Sequence, residues 1–191
     1  MASETDIANY ALAAIGESPI VAFTDDSDRA RIATVFYPIE RDAILRAYPW
    51  KFASVRVALV LDGTAPIFGW TYRHALPSSP YCLRVLGVDE DYLGQIPWAV
   101  EARYLLSDES AIKIKYTAKI TDPTQFDSCF TSAFIFRLAA SFAFALTKQK
   151  TLVDAMMNVY SMKIQEARTN DSFEQSPTTV ISGGSDFLDV R

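Results

Sequence analysis

The spacing of apolar positions divides the chain into helical ends and a strand-rich middle. Ile7, Ala8, Ala11, Leu12 and Ile15 recur at three- and four-residue intervals, which places them on one face of a helix. This predicts a first helix from near Ser3 to Ile15. Gly16 follows at the position where a left-handed conformation is free of Cβ strain. After a short extended link containing Pro19, the residues Asp25, Asp26, Ser27 and Asp28 supply N-cap oxygens and negative charge for a second helix. Ala30, Ala33, Phe36, Tyr37, Ala43, Ile44 and Ala47 carry its period. Pro38 removes one backbone hydrogen bond and predicts a kink, and Pro49 ends the helix by disfavouring helical geometry at Tyr48.

From Ser54 the period becomes two. Val55, Val57, Leu59 and Leu61 alternate with Arg56, Ala58 and Val60, and Trp70, Tyr72, His74 and Leu76 repeat the pattern. Leu83 and Val85 lie in a third run; Val100, Ala102, Tyr104 and Leu106 in a fourth; Ile112, Ile114 and Tyr116 in a fifth. Turn residues at Asp62-Gly63, 77–80, 94–97 and 107–110 separate them, which predicts five short antiparallel strands. Helices then return. Asp122-Pro123 reads as the start of a third, running to about Leu146, and Leu152, Ala155, Met156, Val159, Tyr160, Ile164 and Ala167 mark a fourth. The expected fold is α+β. Helices from residues 1–50 and 120–172 form a bundle, residues 51–119 form an inserted antiparallel sheet or small barrel, and residues 173–191 form an extended tail.

Composition narrows the function. Half of the residues are hydrophobic and 13% aromatic, so most of the chain can bury a core. A formal net charge of −5 gives no overall attraction to nucleic acid. Residues 128–146 form a 19-residue apolar run, but Arg137 at its centre and four Ser or Thr residues favour a helix buried in protein over a membrane span. Six phenylalanines, Phe126, Phe130, Phe134, Phe136, Phe142 and Phe144, leave this helix without a clear polar face. Half of them belong in a core; covering the rest calls for a neighbouring subunit, with Phe134, Arg137 and Phe142 as contact residues.

Candidate chemistry is sparse. His74 is the single histidine and lies in an alternating strand, where a packed side chain is the ordinary reading. The run Asp89-Glu90-Asp91 is the best carboxylate cluster, and a glycan hydrolase pairing one of its members with a distant carboxylate is the enzymatic alternative. Its position between strands favours a solvated turn. Gly183-Gly184 lacks a neighbouring strand or lysine for a phosphate cradle. Cys82 and Cys129 have no metal-ligand spacing and read as buried thiols in a reduced compartment. No cofactor or metal is expected. The opening residues have no basic region of the kind that begins a signal peptide.

Several segments carry a resemblance. They are ANYALAAIGESPI (8–20), DDSDRARIATVFYPIERDAILRAYPWKFA (25–53), PIFGWTYRHALPSSPYCLRVLGV (66–88), EARYLLSDESAIKIKYTAKITDPTQFDSCFTSAFIFRLAASFAFALTK (101–148) and SDFLDVR (185–191). In this order they resemble the head-to-tail adaptor, or tail tubular protein A, of short-tailed bacteriophages. In such proteins an acidic linker precedes a helix ending in L-R-x-x-P-W-x-F-A, and this sequence has that stretch from Leu45 to Ala53. The resemblance implies a subunit of a dodecameric ring in the virion. That ring sits at the head-tail junction between the portal protein and the tail nozzle, helps to hold tail fibres, and is assembled in the host cytoplasm. DNA would pass through it without specific binding. A neck or nozzle protein of another tail type is the alternative within this class. No catalytic residue is implied. The tail residues Phe173, Phe187, Leu188 and Arg191 are candidates for portal or neighbour contact, with Phe187 and Leu188 an apolar anchor between two aspartates. Pro49, Trp50 and Phe52 mark the hinge between bundle and sheet.

Overall fold

The computed structural model describes residues 3–89 and 96–174. The chain begins with α1 (Glu4–Ala14) and α2 (Asp28–Ala47), and a short 3-10 turn at Lys51–Ala53 leads into the strands. These are β1 (Ser54–Ala58), β2 (Val60–Leu61), β3 (Tyr72–Ala75), β4 (Cys82–Val88), β5 (Trp98–Glu101), β6 (Tyr104–Ser107) and β7 (Lys113–Ala118). A second 3-10 turn at Pro123–Gln125 precedes α3 (Ser128–Phe142), which ends in a π-helical turn at Ala143–Thr147, and α4 (Lys150–Phe173) follows. The fold is α+β: helices together with two antiparallel sheets.

The helix starts follow from side-chain oxygens. The Ser3 hydroxyl accepts the Asp6 N–H at 3.1 Å while the Asp6 carboxylate accepts the Ser3 N–H at 2.8 Å, a reciprocal pair that satisfies donors left free at a helix start. Gly16 takes φ 79° just beyond α1. Ser27 caps α2 through Ala30 N–H, and the helix continues through Pro38 to Ala47. The third helix starts later than the Asp122-Pro123 signal predicts. Asp122 caps only the 3-10 turn, and Asp127 caps α3 by accepting N–H groups from Cys129 at 2.8 Å and Phe130 at 3.0 Å. The fourth helix ends at Phe173, one residue beyond the expected boundary at 172.

The strand region differs from expectation in number. The first alternating run crosses between sheets at Leu59, where β1 ends and β2 begins, and the run 100–106 is a hairpin of β5 and β6 that turns at Ala102 and Arg103. Ala102 has φ 51° with no glycine or proline to announce it. One sheet has the order β1-β7-β4 and the other β2-β3-β6-β5, with every pairing antiparallel.

Two cores result. The first joins Ile7, Leu12, Ile44, Leu45, Trp50, Phe130, Phe134, Leu138 and Ile164 from all four helices. The second joins Val85, Val88, Leu105, Ile114 and Tyr116 from both sheets, and Ile120 packs against both cores. Segment Ser128–Thr147 is long and apolar enough to cross a membrane, with 44% of the span buried. In the fold, α3 packs against α1, α2 and α4, and no residue of it after Ser128 is exposed.

Trp50 is where the two regions join. It is fully buried, donates its indole N–H to the Ile44 carbonyl at 3.0 Å and meets Phe130 edge-on with ring centroids 5.2 Å apart. Phe52 is half-buried against Phe126 and Phe130, while Pro49 is exposed. Trp50→Ala should therefore cost about 3–5 kcal/mol in urea denaturation, and an unshifted midpoint would contradict this packing. Asp127→Ala should cost about 1 kcal/mol through loss of the α3 cap, read in the same experiment.

Candidate interaction surfaces

Among the described residues no group of three or more His, Cys, Asp or Glu side chains is arranged to hold a metal. His74 lies in β3, fully buried, with Nε2 3.0 Å from the Glu109 carbonyl oxygen. It is a packing residue of the four-stranded sheet. Asp89 ends β4 with φ 47°; its N–H donates to the Lys113 carbonyl at 2.7 Å and its carboxylate accepts the Lys113 N–H at 3.1 Å. It lines an open groove with Arg56, Lys113 and Lys115, and among the described residues lining that groove it is the sole carboxylate. Glu90 and Asp91 lie outside the described residues, as does Gly183-Gly184. Cys82 and Cys129 are free thiols; burial pushes the Cys82 thiol up, and Cys129 Sγ lies 3.1 Å from Asn170 Nδ2.

The proposed contact helix needs correction. Phe134 and Phe142 are fully buried inside the chain, because α1, α2 and α4 already cover α3. Their rings are unavailable to a second copy. Arg137 instead bonds within the chain: its Nε–H donates to Glu40 at 2.7 Å, Ser141 donates to the other Glu40 oxygen at 2.6 Å, and the guanidinium lies 5.5 Å from the Tyr160 ring centre. This network ties α2, α3 and α4 together. The aromatic side chain left outside is Phe144, 72% exposed on the π-helical turn.

The alternating pattern did not single out one exposed apolar feature among the described residues. Ile67 and Phe68, in the connection between β2 and β3, are 99% and 86% exposed. They border a groove of about 360 Å³ lined also by Pro66, Trp70, Tyr104 and Leu106. Val60 and Leu61 on the edge strand β2, and Trp98 and Val100 on the opposite edge strand β5, are exposed as well. Unpaired strand edges beside exposed apolar side chains favour contact with another chain. The run PIFGW shows in the sequence that this stretch is apolar. That it faces solvent depends on the four-stranded sheet turning its other face to the core.

The end of α4 meets the junction between helices and strands. Asp171 is 7% exposed and accepts the Lys51 N–H at 2.8 Å, while its second oxygen has no hydrogen bond. Phe173, two residues on, is 79% exposed at the end of the helix. Phe187, Leu188 and Arg191 lie outside the described residues.

No family model and no curated protein matches this chain. The surfaces are therefore read from their own chemistry.

Burial raises the Asp171 pKa above its ordinary value, against the smaller opposing effect of the Lys51 N–H. A carboxyl with a raised folded-state pKa binds its proton more tightly in the native than in the unfolded chain, so stability falls as pH rises through that window. Asp171→Asn keeps the acceptor and removes the charge. Its stability advantage over the unsubstituted chain should be smallest near pH 4, grow with pH and then level off, measured by urea denaturation at a series of pH values. An advantage independent of pH would show that Asp171 titrates normally.

Proposed function

We propose that this chain is a structural subunit of a head-to-tail adaptor ring of a short-tailed bacteriophage, docked between portal and tail nozzle. Three things support the reading. The segments that carry the family resemblance run in order over almost the whole chain. The helix-strand-helix succession agrees with an α-helical part plus a β-rich part, which is what the resemblance implies. The observation that carries most weight is the exposed Ile67-Phe68 loop with its groove and the two apolar sheet edges. Burying one large apolar side chain is worth about 1.5–3 kcal/mol, so leaving several in water is costly for a chain that works alone. Neighbouring copies meeting through the β-region would cover them.

In such a ring α3 is the internal support and not the contact surface. The exposed Phe173 at the end of α4 contacts the portal or the next subunit. DNA passes through the lumen, and tail fibres attach at the nozzle side.

The test is the mass of the purified chain in solution, alone and with portal particles. The expected result is a ring-sized species, or a monomer that joins a ring only on the portal. The double substitution Ile67→Asp and Phe68→Asp should abolish assembly while leaving the melting temperature within a few degrees, because both side chains are solvent-exposed. A monodisperse monomer that ignores portal particles would overturn the reading.

A further inference from the structure

The three-stranded sheet has one apolar face and one cationic face. Val57 opposite Ile114, and Val55 opposite Tyr116, point into the second core. The alternate positions place Arg56 opposite Lys115 and Lys113 opposite Ala58 on the outer side. Along β7, Lys113 and Lys115 are two residues apart, about 7 Å, and Arg56 lies across from Lys115 at about 5 Å. The three side chains line one open groove of about 430 Å³.

Two features make this cluster more than a solvated face. First, like charges directly opposite on a sheet repel, and none of the three cations has a carboxylate within ion-pair distance among the described residues. Asp89, the one acid among the described residues of the groove, uses its carboxylate on the Lys113 backbone N–H. This occurs in a chain with 23 acidic and 18 basic side chains, where acidic partners are plentiful. Second, Lys115 is half-buried, and burial together with the neighbouring Lys51 and Arg56 pulls its pKa down. The repulsion is relieved when a polyanion lies in the groove.

We propose that the outer face of the three-stranded sheet is a sequence-independent contact for the phosphodiester backbone of nucleic acid, made by Arg56, Lys113 and Lys115. Phosphates are matched by charge: two lysines act as point charges and the guanidinium forks onto a phosphate. Besides the three cations and Asp89, the described residues lining the groove are Val57, Ala58 and Ile114, and none of these is an aromatic platform or an amide side chain that reads a base edge. A small set of cations on a net-acidic chain gives a weak, salt-sensitive hold, suited to a strand that must also move on.

The experiment is fluorescence anisotropy of the full chain with a labelled random-sequence DNA duplex, from low to physiological salt. Three phosphate contacts give a slope of log affinity against log salt of about −2 to −3. Arg56→Gln, Lys113→Gln and Lys115→Gln should each lower its magnitude by about one, and the triple substitution should abolish binding. Lys113→Arg and Lys115→Arg keep it, and Lys150→Gln, on α4, leaves it unchanged. Circular dichroism confirms that each variant is folded. Absence of binding at low salt, an unchanged slope in the Gln variants, or equal competition by polyglutamate would overturn the proposal.

The site draws on the adaptor reading only for the source of its nucleic acid. A chain that shows the slope but never joins a portal ring retains the site and loses the ring. The reverse outcome removes the site alone.

Discussion

Helix α3 carries Phe130, Ala133, Phe134, Leu138, Ala139 and Phe142 as buried residues and has no exposed position after its first. A helix apolar on nearly every side must be covered on nearly every side, and α1, α2 and α4 supply the cover. Those covering helices come from opposite ends of the chain, so satisfying α3 brings the ends together and leaves the strands between them to form a second core. The Arg137–Glu40–Ser141 network fixes the rotation of α3 against α2, since a charge pair at 2.7 Å is lost if the helix slides or turns. Trp50 then fixes where helices stop and strands begin.

This arrangement determines which surfaces are left for partners. With α3 sealed, exposed apolar side chains remain on the four-stranded sheet, on the connection that carries Ile67 and Phe68, and at scattered positions such as Val21 and Phe144, while positive charge unpaired among the described residues lies on the outer face of the three-stranded sheet. The two faces belong to different sheets, so contact with another subunit and contact with a polyanion need not compete. In the proposed assembly the β-region makes the contacts, while each region keeps a hydrophobic core of its own.

Much of the fold was legible because periodicity and capping agree locally: α1 starts after Ser3, α2 starts within the Asp25–Asp28 cap candidates and ends before Pro49, and β1 starts at Ser54, where the period becomes two. The end of α4 at Phe173 falls within one residue of the expected boundary at 172, where the composition turns to Ser, Thr, Gly and Pro. What escaped had physical causes. The β5–β6 turn is made by Ala102 at positive φ, and no turn residue marks it. Leu59 continues the alternation of β1 while the chain changes sheets, so the pattern has no visible break. Phe134 and Phe142 were legible as apolar, but whether the same chain or a second copy covers them depends on tertiary packing. The cationic groove was hidden because Arg56 and Lys115 meet only through sheet register.

The central claim is that copies of this chain meet through the β-region and not through α3. Hydrogen-deuterium exchange, compared between the chain alone and the chain assembled on portal particles, tests it directly. The account predicts new protection in residues 60–75 and 98–107 on assembly, with α3 equally protected before and after because it is already covered within the chain. New protection confined to α3, with residues 60–75 exchanging as in the free chain, would contradict it.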